Sequence, residues 1–279
     1  MRKIDSINEV VGLVSEIKAQ GKTIGLVPTM GALHIGHLSL IEKARKENDI
    51  IICSVFVNPI QFNNQEDLDK YPRDIEKDCL LLEDAGCDYV FSPSAEEVYA
   101  EKPTETFNFG ALETVMEGKM RPGHFNGVAT IVSRLFNWIN PTRAYFGEKD
   151  FQQLAIIKDM VRQLNSPVEI VPCPIVRESD GLAMSSRNMR LSEEKRAIAS
   201  KINSILKKSV SMKENISLSQ IKSFVKNEFS LLKDFELEYF ELVDDATLQP
   251  VNQKGENGVV GCVAVWLGGV RLIDVIRYY

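Results

Sequence analysis

The sequence predicts an α/β protein, a parallel sheet with helical crossovers followed by a smaller α+β domain. Strand-like and helix-like segments alternate through roughly the first 175 residues, the order that βαβ units require. Beyond Arg177 two helical segments come first and three strand-like runs afterwards, which suits an α+β layer. The boundary therefore falls between residues 1–176 and 177–279.

Taken in order, Ile7 to Ala19 has helical spacing and ends before Gly21. Thr23 to Val27 is apolar without alternation, as a strand covered on both faces should be. Leu38, Ile41 and Ala44 recur at helical spacing, so a helix begins near Gly36. Ile50 to Val57 is a second buried strand. One helix then carries Leu68, Ile75, Cys79 and Leu82 on one face and stops at Gly86, before a strand at Tyr89 to Phe91. Val128, Val132, Leu135 and Ile139 mark a helix ending at Asn140-Pro141. A strand at Ala144 to Phe146, a helix through Leu154, Ile157, Val161 and Leu164, and a strand at Val168 to Val171 close the series. In the second domain Ser192 caps a charged helix reaching about Val210, and Ser217 to Phe229 forms another. The strands are Phe235 to Val243, Gly258 to Leu267 and Val270 to Ile276.

Composition narrows the class of partner. Forty-four per cent hydrophobic residues in 279 suffice for a sizeable core. A net charge of −6 argues against extended contact with nucleic acid or an anionic membrane, which need dense Lys and Arg. The five cysteines form no CxxC pair and read as reduced, mostly buried thiols of a cytoplasmic protein. Asp5 and Glu9 interrupt any secretory signal after Arg2 and Lys3. Thr23 to Ile41 lacks charged residues and approaches the ~20 residues of a membrane span. Pro28, Gly31, Gly36 and two histidines within it would leave polar groups unsatisfied in lipid, so it is not one.

The chemistry concentrates at strand-to-helix turns. In Pro28 to His37, two histidines stand one helical turn apart where a strand becomes a helix. The helix's first N–H groups and the positive end of its dipole suit phosphate oxygens. Phe146-Gly147-Glu148-Lys149-Asp150 repeats that logic, and a lysine opposing a helix dipole calls for an anion. Within Ser179 to Asn188, Ser185 and Ser186 supply two hydroxyls and Arg187 a cation for a triphosphate, in a segment placed as a lid. Gln61 and Gln153 offer uncharged donors and acceptors to a small polar substrate. Lys119, Arg121 and His124 form a basic loop that either meets a carboxylate or is solvated. No Cys, His or acid cluster at ligand spacing joins the histidines, so the protein is expected to hold no metal.

Six segments together resemble the pantoate–β-alanine ligase family: PTMGALHIGH at 28–37, SVFVNPIQF at 54–62, YPRDIEKD at 71–78, RPGHFNGV at 121–128, AYFGEKDFQQ at 144–153 and GLAMSSRN at 181–188. The HIGH tetrad alone is shared with class I aminoacyl-tRNA synthetases and nucleotidyltransferases. The last hundred residues carry fewer matched motifs.

The resemblance implies a Rossmann-like nucleotide domain with a C-terminal lid, assembled as a cytoplasmic homodimer. It implies ATP, with Mg2+, as a substrate and no tightly bound cofactor. Its implied ATP contacts are Met30, Gly31, Ala32, Leu33, His34, Ile35, Gly36, His37, Gly147, Glu148, Lys149, Asp150, Val176, Met184, Ser185, Ser186 and Arg187. His37 matches the family's proton donor and His34 its phosphate-binding companion; from its place at a helix start opposing the dipole, Lys149 is assigned with them to charge stabilisation. Gln61 matches a residue shared by pantoate and β-alanine, and Gln153 a pantoate contact. AMSSRN stands where the wider superfamily carries a lysine-bearing KMSKS loop, so hydroxyl and guanidinium contacts replace ammonium ones.

Overall fold

Six parallel strands form one sheet in the computed structural model, which describes residues 1–279. They are β1 (Arg2–Ile4), β2 (Ile24–Thr29), β3 (Ile50–Val55), β4 (Tyr89–Phe91), β5 (Arg143–Gly147) and β6 (Glu169–Cys173). Their spatial order is β1-β4-β3-β2-β5-β6. The chain thus builds outward from β2 in one direction through β3 and β4, and β5 with β6 extends the other side. The crevice beyond the carboxyl ends of β2 and β5 is the topological switch point where such sheets bind ligands.

The central strands are apolar because both faces are covered. Ile24, Leu26, Val27, Ile51, Ile52 and Cys53 have no solvent exposure. Leu40, Ile41 and Ala44 from the Ile35–Glu47 helix and Leu82 from the Ile75–Asp84 helix pack into the same core as Val27, Ile51 and Val90. The edge strand β1 escaped the sequence reading, since three residues carry no periodicity.

Two predicted helices are each two. Gln65–Asp69 and Ile75–Asp84 are separated at Tyr71-Pro72, where proline lacks an N–H and drives its predecessor away from helical angles. Asp74 restarts the helix by accepting from the Lys77 N–H at 3.1 Å. The charged helix divides at Ser200 into Glu193–Ala199 and Lys201–Ser211; the Ser200 ψ of −15° opens the ladder locally.

The chain forms two compact units that are not consecutive stretches. The first comprises Met1–Phe109, Arg121–Gly147 and Ile156–Cys173; the second comprises Gly110–Met120, Glu148–Ala155 and Pro174–Tyr279. In the second unit β7 (Phe235–Asp244), β8 (Val259–Leu267) and β9 (Val270–Arg277) form an antiparallel sheet in that order. The Lys201–Ser211 and Leu218–Ser230 helices bury Ile202, Leu206, Ile221 and Val225 with Phe240, Val263 and Val265 of that sheet. A charge cluster ties Gly110–Met120 to this unit. Arg271 donates to both Glu117 oxygens at 2.7 and 2.8 Å and also pairs with Glu238, while the Tyr239 hydroxyl donates to Glu117 at 2.6 Å. All three charged side chains are less than one-fifth exposed, so removing one strands a buried charge. No helix is long and apolar enough to cross a membrane.

Candidate functional site

Beyond β2 the backbone folds into a tight turn. Gly31 and Ala32 both take positive φ, +81° and +50°, and this aims successive N–H groups to one side. Asp78, only 2 % exposed, receives two of them: Ala32 N–H donates to Oδ2 at 2.9 Å and Leu33 N–H to Oδ1 at 2.7 Å. The Ile35–Glu47 helix follows, with extended His34 as its cap residue. The His34 and His37 rings lie 4.0 Å apart, tilted by 33°. Because the His34 N–H donates to His37 Nδ1 at 3.3 Å, a neutral His37 ring carries its proton on Nε2 and is a donor there. Met30, Gly31, Ala32, Leu33, His34, Ile35, Gly36 and His37 thus form one continuous turn and helix start at the switch point.

The same unit holds Gln61. The short helical turn Pro59–Gln61 follows β3, and Gln61 Nε2 donates to Met30 Sδ at 2.9 Å. Asn58 Nδ2 donates to Gln61 Oε1 at 3.1 Å and to the Gly127 carbonyl at 3.0 Å. His124 is buried and its Nδ1 lies 2.8 Å from the Gln61 carbonyl, with Arg121 Nη1 3.1 Å from Nε2. His124 therefore supports the Gln61 backbone, and Arg121 is its neighbour. A β-carbon on Gly127 would meet Ile60 O at 2.7 Å and Gln61 Cα at 2.8 Å, so only glycine lets the His124–Ile139 helix approach the Gln61 turn. Asn58 and Asp78 were not singled out from sequence: an Asn in a loop and an Asp in a helix's first turn look like caps.

Gly147 ends β5 in the first unit, and Glu148, Lys149 and Asp150 make a short helical turn in the second. Lys149 Nζ is 3.8 Å from Asp150 Oδ2, too far for a hydrogen bond. Gln153 sits in the first turns of the Phe151–Gln163 helix. Its neighbour Gln152 has a structural task, holding the Leu112 and Val115 carbonyls at 2.7 and 2.9 Å and accepting from the Glu117 N–H.

Val176, Met184, Ser185, Ser186 and Arg187 also lie in the second unit. The chain doubles back there, with Arg177 bridged to Ala183 and the Met184 N–H donating to Val176 O at 3.0 Å. Ser185 Oγ accepts from the Arg187 N–H, and Asn188 Nδ2 donates to Glu178 Oε1 at 2.9 Å and Ala183 O at 3.0 Å. Arg177 anchors the loop by a two-pronged pair with Asp274 at 2.7 and 2.9 Å; Asp274 is 2 % exposed. No group of three or more His, Cys, Asp or Glu residues is arranged to hold a metal ion.

The family model described as pantoate-beta-alanine ligase matches residues 2–277. The pantothenate synthetase of Bacteroides fragilis is 54% identical over 279 residues, covering 100% of this chain and 99% of the relative. That of Phocaeicola vulgatus is 52% identical with the same coverage. The crystal structure of pantothenate synthetase from Thermus thermophilus has 42% identity and a TM-score of 0.94, with both chains covered completely. Pantoate-beta-alanine ligase from Francisella tularensis, complexed with beta-gamma ATP and beta-alanine, has 35% identity and a TM-score of 0.83, covering 100% of this chain and 98% of that one.

Proposed function

The chain belongs to the pantoate–β-alanine ligase family, which makes pantothenate, and on that premise we propose a two-step reaction through an enzyme-bound pantoyl adenylate. In the first step the pantoate carboxylate attacks the α-phosphorus of MgATP and pyrophosphate leaves. In the second the β-alanine amine attacks the activated carbonyl, AMP leaves and the amide forms.

The observation that carries this reading is the turn over Asp78, which delivers paired imidazoles to the switch point of a parallel sheet. Two anions must approach one another in the first step, so the protein's work is positioning and charge stabilisation. Met30 to His37 bind the nucleotide through the turn and the helix N-terminus. His37 donates from Nε2 to a phosphate oxygen, and His34 supports the same charge. Glu148 and Asp150 flank Lys149, which with Gly147, Val176, Met184, Ser185, Ser186 and Arg187 completes the ATP contacts. Gln61 and Gln153 orient pantoate without adding a negative charge that would oppose it. The β-alanine-bound relative from Francisella supports the choice of amine.

In this reading residues 1–176 hold nucleotide and pantoate, and residues 177–279 are the lid that keeps water from the acyl phosphate. The enzyme works as a cytoplasmic homodimer, as the resemblance implies. The test separates the two half-reactions. With pantoate and MgATP alone, pyrophosphate should appear in a single burst, and sustained AMP release should begin only when β-alanine is added. Steady AMP release without an amine, or AMP retained on the product, would overturn the proposal.

A further inference from the structure

We infer that Tyr99 is a positioning residue that fixes which end of the Gln61 amide faces the substrate. The inference rests on the proposal that Gln61 contacts pantoate. Hydrogen-bond polarity runs in one direction along the chain Tyr99, Asn58, Gln61. Tyr99 Oη donates to Asn58 Oδ1 at 2.5 Å, and a carbonyl-type oxygen can only accept. The amide nitrogen of Asn58 must then face the other way, where it donates to Gln61 Oε1 at 3.1 Å and Gly127 O at 3.0 Å. The Gly127 carbonyl is itself acceptor-only, so it demands the same orientation independently.

With Oε1 engaged by Asn58, Gln61 is left with Nε2 as the group it presents, directed at present to Met30 Sδ at 2.9 Å. A thioether is a weak acceptor, and a carboxylate or hydroxyl oxygen of the substrate is a stronger one. The relay thus specifies that the atom opposite Gln61 is an acceptor. It is built to keep that orientation: Asn58 is 1 % exposed, so its orphaned amide would be costly. Burial pushes the Tyr99 phenol up to about 12, so it remains a donor throughout the working range. Arg134 lies 5.2 Å from the centre of its ring and also pairs with Glu105, which holds the phenol in place.

A double-mutant cycle tests the inference through a readout that general loosening does not mimic. Tyr99→Phe keeps the ring and removes only the donor. We expect the KM for pantoate to rise roughly tenfold, a loss comparable to one hydrogen bond, with the KM for ATP unchanged. In a Gln61→Ala background the same substitution should have no further effect. Gln61→Glu, which presents only acceptors, should raise the pantoate KM at least as much as Gln61→Ala and needs no change at Tyr99. If Gln61→Ala is harmful but Tyr99→Phe is silent, or multiplies the Gln61→Ala defect, the relay is wrong and the site proposal stands. A Gln61→Glu variant with the wild-type pantoate KM also overturns the relay. If Gln61→Ala leaves pantoate kinetics untouched, the substrate assignment of Gln61 fails and the relay fails with it.

Discussion

Asp78 lies directly beneath Gly31: a β-carbon on that glycine would stand 2.8 Å from Asp78 Oδ2 and 3.2 Å from Val55 Cγ1. The carboxylate uses its two oxygens on the next two backbone amides, so a helical side chain 45 and 46 positions away from them dictates the path of the turn. Burial pushes the Asp78 carboxyl above the ordinary carboxylate range, against the pull of those amides. Its ionisation therefore costs stability: the contribution is fully present below the ordinary value of 3.8 and is lost as pH rises through the raised one. Burial and the two amides thus pull the Asp78 carboxyl in opposite directions at the point where it shapes the turn.

Gly31→Ala and Asp78→Asn should accordingly both cost stability. Alanine at φ +81° carries about 1–2 kcal/mol of left-handed strain before any contact with Asp78, or roughly 2–8 °C of melting temperature. Asparagine has one acceptor oxygen for two amides and turns its own donors toward the other, so Asp78→Asn should slow adenylation at least about tenfold, with a loss of melting temperature comparable to that of Gly31→Ala. Thermal melts beside single-turnover pyrophosphate release would check both. An Asp78→Asn enzyme that unfolds early yet reacts normally once folded would show Asp78 to be a stability residue only.

His37→Ala should slow the first half-reaction by roughly 10²–10³-fold, about 3–4 kcal/mol, as expected for one donor to transition-state charge. Aminolysis of supplied pantoyl adenylate should change much less, because the proposed role of His37 is confined to charge that develops in the first step. Rapid quench of each half-reaction measures the two separately. An equal loss in both steps would assign His37 a different role.

Much of this arrangement could be read from residue order. The apolar run ending at Val27 and the glycine-rich turn before His37 announce a buried strand leading through a tight turn into a helix, since both signals are local in the chain. The broken helix at Tyr71-Pro72 was less legible, because Leu68 and Ile75 share an apolar spacing that continues across the proline. The partners of the site residues were not legible at all. Asp78 reaches Ala32 across 46 positions, Tyr99 reaches Asn58 across 41, and His124 reaches Gln61 across 63. Periodicity reports which face of an element is buried and carries nothing about such distant pairings. For the same reason Gly110–Met120 gave no sign that Glu117 pairs with Arg271, 154 residues later.

Lys149→Met keeps the length of the stem and removes the ammonium. Its ion-pair partner, the Asp150 carboxylate, is beyond hydrogen-bond range at 3.8 Å, so the substitution breaks no structural pair of consequence. Adenylation should fall by a factor comparable to that of His37→Ala while the melting temperature hardly moves. Burst measurements of pyrophosphate at saturating ATP would decide it, and a wild-type burst rate would take Lys149 out of the catalytic set.

The loop bearing Met184 to Arg187 should be sensitive to acid through Arg196. That guanidinium donates to Asp180 at 2.6 Å and to Glu178 at 2.6 Å, and Glu178 in turn accepts from Asn188 at 2.9 Å. The hydrogen bond from Arg196 holds the Asp180 carboxyl below its ordinary 3.8. A depressed folded value means that the pair stabilises the protein above about that pH and that the contribution is lost as pH falls through the lower value. Melting temperatures followed from about pH 5 down to about pH 2.5 should drop more steeply for the wild type than for Asp180→Asn, which has no charge to lose. At neutral pH Arg196→Ala should weaken ATP binding more than pantoate binding, because the loop it secures is assigned to the nucleotide. Parallel acid slopes for wild type and Asp180→Asn would mean that the carboxylate's folded and unfolded values coincide, and the restraint on the loop would then have to come from the Arg196–Glu178 and Arg177–Asp274 pairs without Asp180.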